Sequence, residues 1–176
     1  MNQAPAKLMV AVFDQMVCIK VNGRADFTSS VDLKKLVNEL WERGYNHFIF
    51  ELCDCLTMDS TFLGVLSGIG LKFSNGKNTQ VGTPLELINP NPRISETLEN
   101  LGVIDLFAIK TCAEPLTDRF EPLAEAPKST QKELTSICLE AHKTLMAIKP
   151  ENAQKFRDVA QFLAEDLKKL ENCGNK

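Results

Sequence analysis

Residues 58–66 read MDSTFLGVL, and the fold of the chain is best read outward from this stretch. A carboxylate, Asp59, and two hydroxyls, Ser60 and Thr61, stand at the start of an apolar run. An apolar strand at 47–52 and a short loop at 53–57 are predicted before it. A hydroxyl at such a place can cap the helix or accept a phosphate at its positive end. The residues alone leave both interpretations open.

Strands and helices alternate on both sides of this stretch, which is typical of an α/β domain with a mostly parallel sheet. An opening hairpin makes the predicted sheet mixed. The hydroxyl and acid of Ser29 and Asp32 predict a capping box for the first helix. Asn91 before Pro92 predicts the cap of the third helix. Strands are predicted at 8–13, 16–21, 47–52, 85–88 and 106–109, and helices at about 30–43, 60–73 and 92–101.

The pattern changes after residue 113. Residues 1–113 are predicted to form the α/β domain, 114–128 a proline-rich linker and 129–173 a helical hairpin. Each of the two C-terminal helices carries an apolar stripe at helical spacing. These stripes need a covering surface, which could be the domain itself, a second copy in a homodimer, or another protein.

Composition narrows the class of protein. Hydrophobic residues make up 44% and charged residues 24% of the 176 residues, and the net charge is -3. This is a globular composition without the basic surface that direct nucleic-acid binding requires. We expect no membrane span and, without a recognisable signal peptide, a cytoplasmic location.

The chemistry-bearing residues form no recognisable catalytic pattern. The six cysteines lack metal-site spacing, so neither a zinc site nor a disulfide framework is predicted. His47 and His142 are expected to be structural or solvated, and no glycine-rich loop for phosphates occurs. We therefore predict no catalytic residues, no metal, no cofactor and no enzymatic activity.

Three motifs together resemble a known family. Residues 23–27 (GRADF), 59–66 (DSTFLGVL) and 98–103 (LENLGV), with Phe107 after the last, are similar in order and spacing to the STAS domain. This family includes the bacterial anti-sigma factor antagonists. The resemblance covers about residues 8–109, and against the family's pattern residues 81–84 look like a small insertion. It implies a mixed, mostly parallel sheet with helices, to which the two C-terminal helices are an addition.

The resemblance also implies a regulatory interaction module. Thr61 would be the phosphorylated residue. The partners would be an anti-sigma factor serine/threonine kinase and a cognate phosphatase, with ATP and magnesium belonging to the kinase. Phe62 stands where the family usually has Gly, and we expect its side chain to be exposed and to reshape the partner surface. The residues expected to form that surface are Asp26, Asp59, Ser60, Phe62 and Gly64. The alternative is a scaffold or self-associating protein without a phosphoswitch, which would use the C-terminal helices.

Overall fold

The computed structural model describes residues 6–75, 85–114, 116–124 and 127–173. Two strands, β1 (Lys7–Phe13) and β2 (Met16–Ala25), form the predicted antiparallel hairpin. The turn between them passes through Asp14, which adopts a φ of 48°. Asp is one of the few residues that tolerates this left-handed conformation, so the two-residue connection is possible. The predicted insertion at 81–84 lies outside the described residues.

Parallel strands extend the sheet from β2. Strand β3 (His47–Glu51) pairs with β2, β5 (Leu85–Ile88) with β3, and β6 (Phe107–Lys110) with β5. Two short strands were not predicted. The stretch expected to be a loop at 53–57 contains β4 (Cys55–Met58), which pairs with the far end of β2. The predicted linker contains β7 (Glu121–Pro122), which pairs with β1. The strand order is β6-β5-β3-β2-β1-β7, a mixed sheet as predicted.

Five α-helices are described: α1 (Phe27–Glu42), α2 (Ser60–Asn75), α3 (Pro92–Asn100), α4 (Gln131–Ile148) and α5 (Pro150–Cys173). The predicted capping box of α1 is wrong by one turn, because Asp26 caps this helix and Ser29 closes the box. The helix accordingly begins at Phe27 rather than near residue 30. Asn91 caps α3 as predicted, with proline at the first helical position.

The sheet buries both faces. Alternate residues of the central strands, among them Ile19, Phe50 and Leu87, join the helices in one large core. The opposite face carries a smaller cluster around Cys18 and Ile49. The chain after β6 crosses that second face, and α4 then packs against the outer side of α2 while α5 packs against α4. The apolar stripe of α4 is therefore covered by the domain of the same chain.

Candidate regulatory site at the start of helix α2

Asp59 joins the starts of two helices. Its Oδ1 accepts a hydrogen bond from the Phe62 amide at 2.8 Å, which caps α2. Its Oδ2 accepts one from the Phe27 amide at 2.9 Å, at the start of α1. Burial raises the pKa of the Asp59 carboxyl, although these two amide hydrogen bonds act in the opposite direction. Asp59, rather than the Ser60 hydroxyl, is therefore the cap of α2.

Asp26 lies beside this arrangement. Its Oδ1 accepts hydrogen bonds from the amides of Thr28 at 3.0 Å and Ser29 at 3.1 Å. The negative charge of Asp26 also contributes to raising the pKa of Asp59. Two helix N-termini and two carboxylates therefore share one edge of the molecule, so the positive ends of the helices face local negative charge. A further anion at this edge would be attracted by the two helix N-termini and repelled by the two carboxylates.

The Ser60 hydroxyl is bound by the C-terminal hairpin. Its Oγ lies 3.0 Å from Nε2 of His142 on α4, and Nδ1 of the same imidazole lies 2.7 Å from the Cys138 carbonyl oxygen. Since a carbonyl only accepts, Nδ1 carries the proton, and Nε2 of the neutral ring accepts from Ser60. His142 is buried and packs edge-on against Phe156. The imidazole thus has the structural role that we predicted and holds α4 against the start of α2.

Thr61 lies beneath α4. Thr61 is only 5% exposed, and its Oγ1 donates a hydrogen bond to the Cys138 sulfur at 3.8 Å. Burial raises the pKa of the Cys138 thiol; the Thr61 hydrogen bond lowers it and the charge of Asp59 raises it further. The predicted phosphorylation residue is therefore inaccessible while α4 is in place.

The expected exposure of Phe62 is wrong. This side chain is 0% exposed and belongs to the main core, because the third position of α2 faces the sheet. Gly64 faces α4 instead: a Cβ atom at this position would lie 2.5 Å from the Ala141 carbonyl oxygen. The close approach at Gly64 is made by the chain's own C-terminal helix.

A cleft runs along the seam between α4 and the two helices beneath it. It has a volume of about 280 Å³ and its floor includes Gly64, Gly68 and Ile69 of α2. Two ion pairs join α1 to α4 at the rim of the seam: Lys34 pairs with Glu140, and both of these residues line the cleft, and Lys35 pairs with Glu133. The contact of α4 with the domain is therefore incomplete on the α1 side.

Two exposed apolar side chains near the helix starts were missed by the sequence analysis. Phe27, the first residue of α1, is 46% exposed, and Leu56 on β4 is 60% exposed. Phe27 lies within the GRADF motif, but its exposure follows from where α1 begins. Leu56 was assigned to a loop. The contributions of Cys138, Ala141 and His142 were also missed, since only an apolar stripe marked α4 in the sequence.

The described residues offer little for other chemistry. Within the described ranges, no three His, Cys, Asp or Glu side chains are grouped so that they could hold a metal ion. No helix in the part of the chain that the structure describes is long and apolar enough to cross a bilayer.

A comparison with protein-family models decides the family. The model of the STAS domain matches residues 7–115, more than half of the chain. The chain belongs to the STAS domain family. The match ends before α4, so the helices that cover Thr61 lie outside the part shared with the family.

Solved structures show the same fold. A candidate anti-sigma factor antagonist from Thermotoga maritima is 23% identical, with a TM-score of 0.50 over 59% of this chain and 85% of that protein. The anti-sigma factor antagonist SpoIIAA in its unphosphorylated form is 17% identical, with a TM-score of 0.50 over 59% of this chain and 88% of its own. Among curated proteins, none matches the sequence. The STAS fold is therefore shared, with the C-terminal hairpin as an addition.

Proposed function

We propose that this STAS protein is a regulatory interaction module of the anti-sigma factor antagonist type, switched by phosphorylation of Thr61. Unmodified, it binds an anti-sigma factor serine/threonine kinase through the edge that carries Asp26, Asp59 and Ser60. Phosphorylation by that kinase, which supplies ATP and magnesium, releases it, and a cognate phosphatase restores the binding form. The module works in the cytoplasm, is not an enzyme, and contacts neither nucleic acid nor membrane.

The observation that supports this proposal is the pair of hydroxyls at a capped helix start between two carboxylates. A phosphate on Thr61 adds a charge of about -1.5 to -2. The helix end stabilises such an anion by about 0.3–1 kcal/mol. Asp26 and Asp59 oppose it and make the surface strongly negative. Phosphorylation then changes the charge of the surface more than it changes the fold. A change of this kind can control the binding of a partner protein.

The exposed side chains beside the carboxylates suit a docking edge. Phe27, whose amide donates to Asp59, is exposed beside that carboxylate, and Leu56, three residues before Asp59 on β4, is exposed as well. An apolar contact ringed by charge is the usual composition of a protein interface. Phe62 takes no part in this docking surface, because it is buried.

Phosphate mapping tests the proposal. The full-length protein is incubated with candidate anti-sigma factor kinases, ATP and magnesium, and phosphopeptides are identified by mass spectrometry. We expect phosphate on Thr61, no phosphate in Thr61→Ala, and retained phosphate in the matched variant Ser60→Ala. Phosphate that persists in Thr61→Ala and disappears in Ser60→Ala would move the switch to the neighbouring hydroxyl. Absence of labelling by every kinase would refute the phosphoswitch.

The second candidate is a self-associating scaffold, which exposed residues of α5 favour. Phe162 is 66% exposed and Val159 is 44% exposed, one helical turn apart on the side of α5 away from the core. If this patch joins two copies, the mass of the protein measured by light scattering should be that of a dimer and should fall to a monomer in Phe162→Asp. A monomeric wild-type protein would remove this candidate.

A further inference from the structure

The covered state of Thr61 and its phosphorylated state exclude each other. Thr61 is 5% exposed, and the Cys138 sulfur lies 3.8 Å from its Oγ1. A phosphoryl group on Oγ1 brings three acceptor oxygens to a position where the Cys138 sulfur is already in contact. Transfer also requires that the Thr61 hydroxyl attack the γ-phosphorus of ATP in line with the bond to the departing ADP. A buried hydroxyl cannot reach that position. A kinase can therefore act only after the first turns of α4 have moved.

The contacts around Thr61 are of a kind that can be broken. Ser60 and Thr61 make one hydrogen bond each to α4, and the second is to a sulfur, a weak acceptor. Further along α2, an open cleft of about 280 Å³ lined by Gly64, Gly68 and Thr144 leaves the α1 side of the seam unfilled. The rim ion pairs of Lys34 and Lys35 involve partly exposed side chains, so they add little stability.

The other end of the hairpin is held more firmly. The Asn152 side-chain amide is buried and donates to the carbonyls of Leu101 at 2.8 Å and Leu145 at 2.9 Å. Leu145 itself is 0% exposed within the main core. Lys149 donates to the Asn100 carbonyl at 3.1 Å. The hairpin thus has a buried polar anchor at the end of α3, whereas Ser60 and Thr61 each contribute one side-chain hydrogen bond to its contact with the start of α2.

We infer that the C-terminal hairpin is an internal cover of the kinase-binding face, the edge that carries Asp26, Asp59 and Ser60. Helix α4 and the kinase compete for the start of α2, and the anchored hairpin lifts from Thr61 before phosphorylation. This inference rests on the proposed function. The kinase sees only the uncovered fraction of the protein, so its apparent affinity falls in proportion to that fraction. Because coupling is reciprocal, a phosphate on Thr61 keeps α4 displaced.

A reversible lock on α4 in the full-length chain tests the cover. A Cβ at Gly68 would lie 3.9 Å from both Oγ1 and Cγ2 of Thr144, so Gly68→Cys with Thr144→Cys places two thiols near disulfide distance. Ser60 and Thr61 are unchanged in this variant. Oxidised, it should be phosphorylated at least about tenfold more slowly than the wild type, and reduction should restore the rate. Wild-type protein and Thr144→Cys alone, treated with the same oxidant, are the controls.

A second variant opens the cover. Ala141 is buried against Gly64, and Ala141→Glu places a carboxylate there without altering α2. The matched control Ala147→Glu makes the same substitution on the exposed side of α4. We expect Ala141→Glu to raise both the phosphorylation rate and the alkylation rate of Cys138 by N-ethylmaleimide about tenfold, equivalent to 1.4 kcal/mol. Ala147→Glu should change neither, and circular dichroism establishes that both variants are folded.

The possible outcomes distinguish a failure of the inferred hairpin cover from a failure of the proposed phosphorylation of Thr61. If the oxidised lock is phosphorylated as fast as the wild type, the hairpin does not cover the kinase-binding face and the inference is overturned, while the proposed function stands. If no form is phosphorylated, including Ala141→Glu with its reactive Cys138, the proposed function itself is refuted and the inference falls with it.

Discussion

Gly64→Ala is the substitution for which the structure makes its most specific stability prediction. The added Cβ would lie 2.5 Å from the carbonyl oxygen and 2.7 Å from the carbonyl carbon of Ala141. Favourable contacts between carbon atoms occur at about 3.5–4.0 Å, so the backbone of α4 must retreat by about 1 Å. Backbone atoms of a helix cannot rotate away as a side chain can. The added Cβ therefore destabilises the contact between α2 and α4.

The magnitude follows from two opposing effects. Replacing glycine by alanine inside a helix stabilises it by about 1 kcal/mol, whereas overpacking a buried contact costs about 1–3 kcal/mol. We expect Gly64→Ala to be about 1 kcal/mol less stable than the wild type. Gly68→Ala is the matched control on the same helix, because its Cβ would meet Thr144 at 3.9 Å, an ordinary contact. This control should be up to about 1 kcal/mol more stable.

Urea denaturation under reducing conditions, followed by circular dichroism, measures both variants. At an unchanged slope, the shift in midpoint reports the change in the free energy of unfolding. Cys138 alkylation gives a second, local readout and should accelerate in Gly64→Ala alone. If Gly64→Ala proves as stable as Gly68→Ala, then α4 does not lie against Gly64 and the placement of the hairpin is refuted.

Three further predictions concern the core and its buried polar groups. Burial acts to raise the pKa of Glu86, but Lys110 and His47 lower it more, so this pKa lies below its ordinary value. The ionised Glu86 carboxylate stabilises the protein at neutral pH, and this stabilisation is lost on acidification through its pKa. In urea denaturation, Glu86→Gln should therefore lower the free energy of unfolding by about 1–3 kcal/mol at pH 7 and by much less below about pH 4. An unchanged difference between the two pH values would contradict this. Phe62→Ala should lower the free energy of unfolding by about 3–5 kcal/mol, since the side chain is fully buried; a loss under 1 kcal/mol would place it at the surface. Asn152→Leu leaves two carbonyls without their donor and should cost at least about 1–3 kcal/mol, and a neutral result would remove the anchor.

The family part of the fold could be predicted because its signals are local. Alternating strands and helices, the cap at Asn91 and the motif at 59–66 each depend on near neighbours in the sequence. The errors also have local causes. Asp26 and Ser29 form the capping box that the pattern at Ser29 and Asp32 imitates one turn later. Strand β4 is as long as β5, which was predicted, but only its first residue is buried and Leu56 is exposed, so it lacks the apolar character of β5.

The covering of the site could not be predicted, because it depends on contacts between distant parts of the chain. Ser60 and His142 are separated by 82 positions, and Thr61 and Cys138 by 77. An apolar stripe shows that a helix needs a covering surface but not which surface supplies it. Phe62 was expected to be exposed because it stands at a helix start where the family usually has Gly, yet the helical turn directs it into the core.

A single cross-link tests most directly whether α4 lies over Thr61. Thr61→Cys places a thiol where the threonine hydroxyl now lies 3.8 Å from the Cys138 sulfur. After mild oxidation of the full-length protein and digestion without reduction, mass spectrometry should find the peptide that contains position 61 joined to the peptide that contains Cys138. Ser60→Cys, whose native hydroxyl faces His142 instead, is the matched control and should form this link less readily. Two peptides that remain separate, or a link from position 61 to a different cysteine, would contradict the covered site.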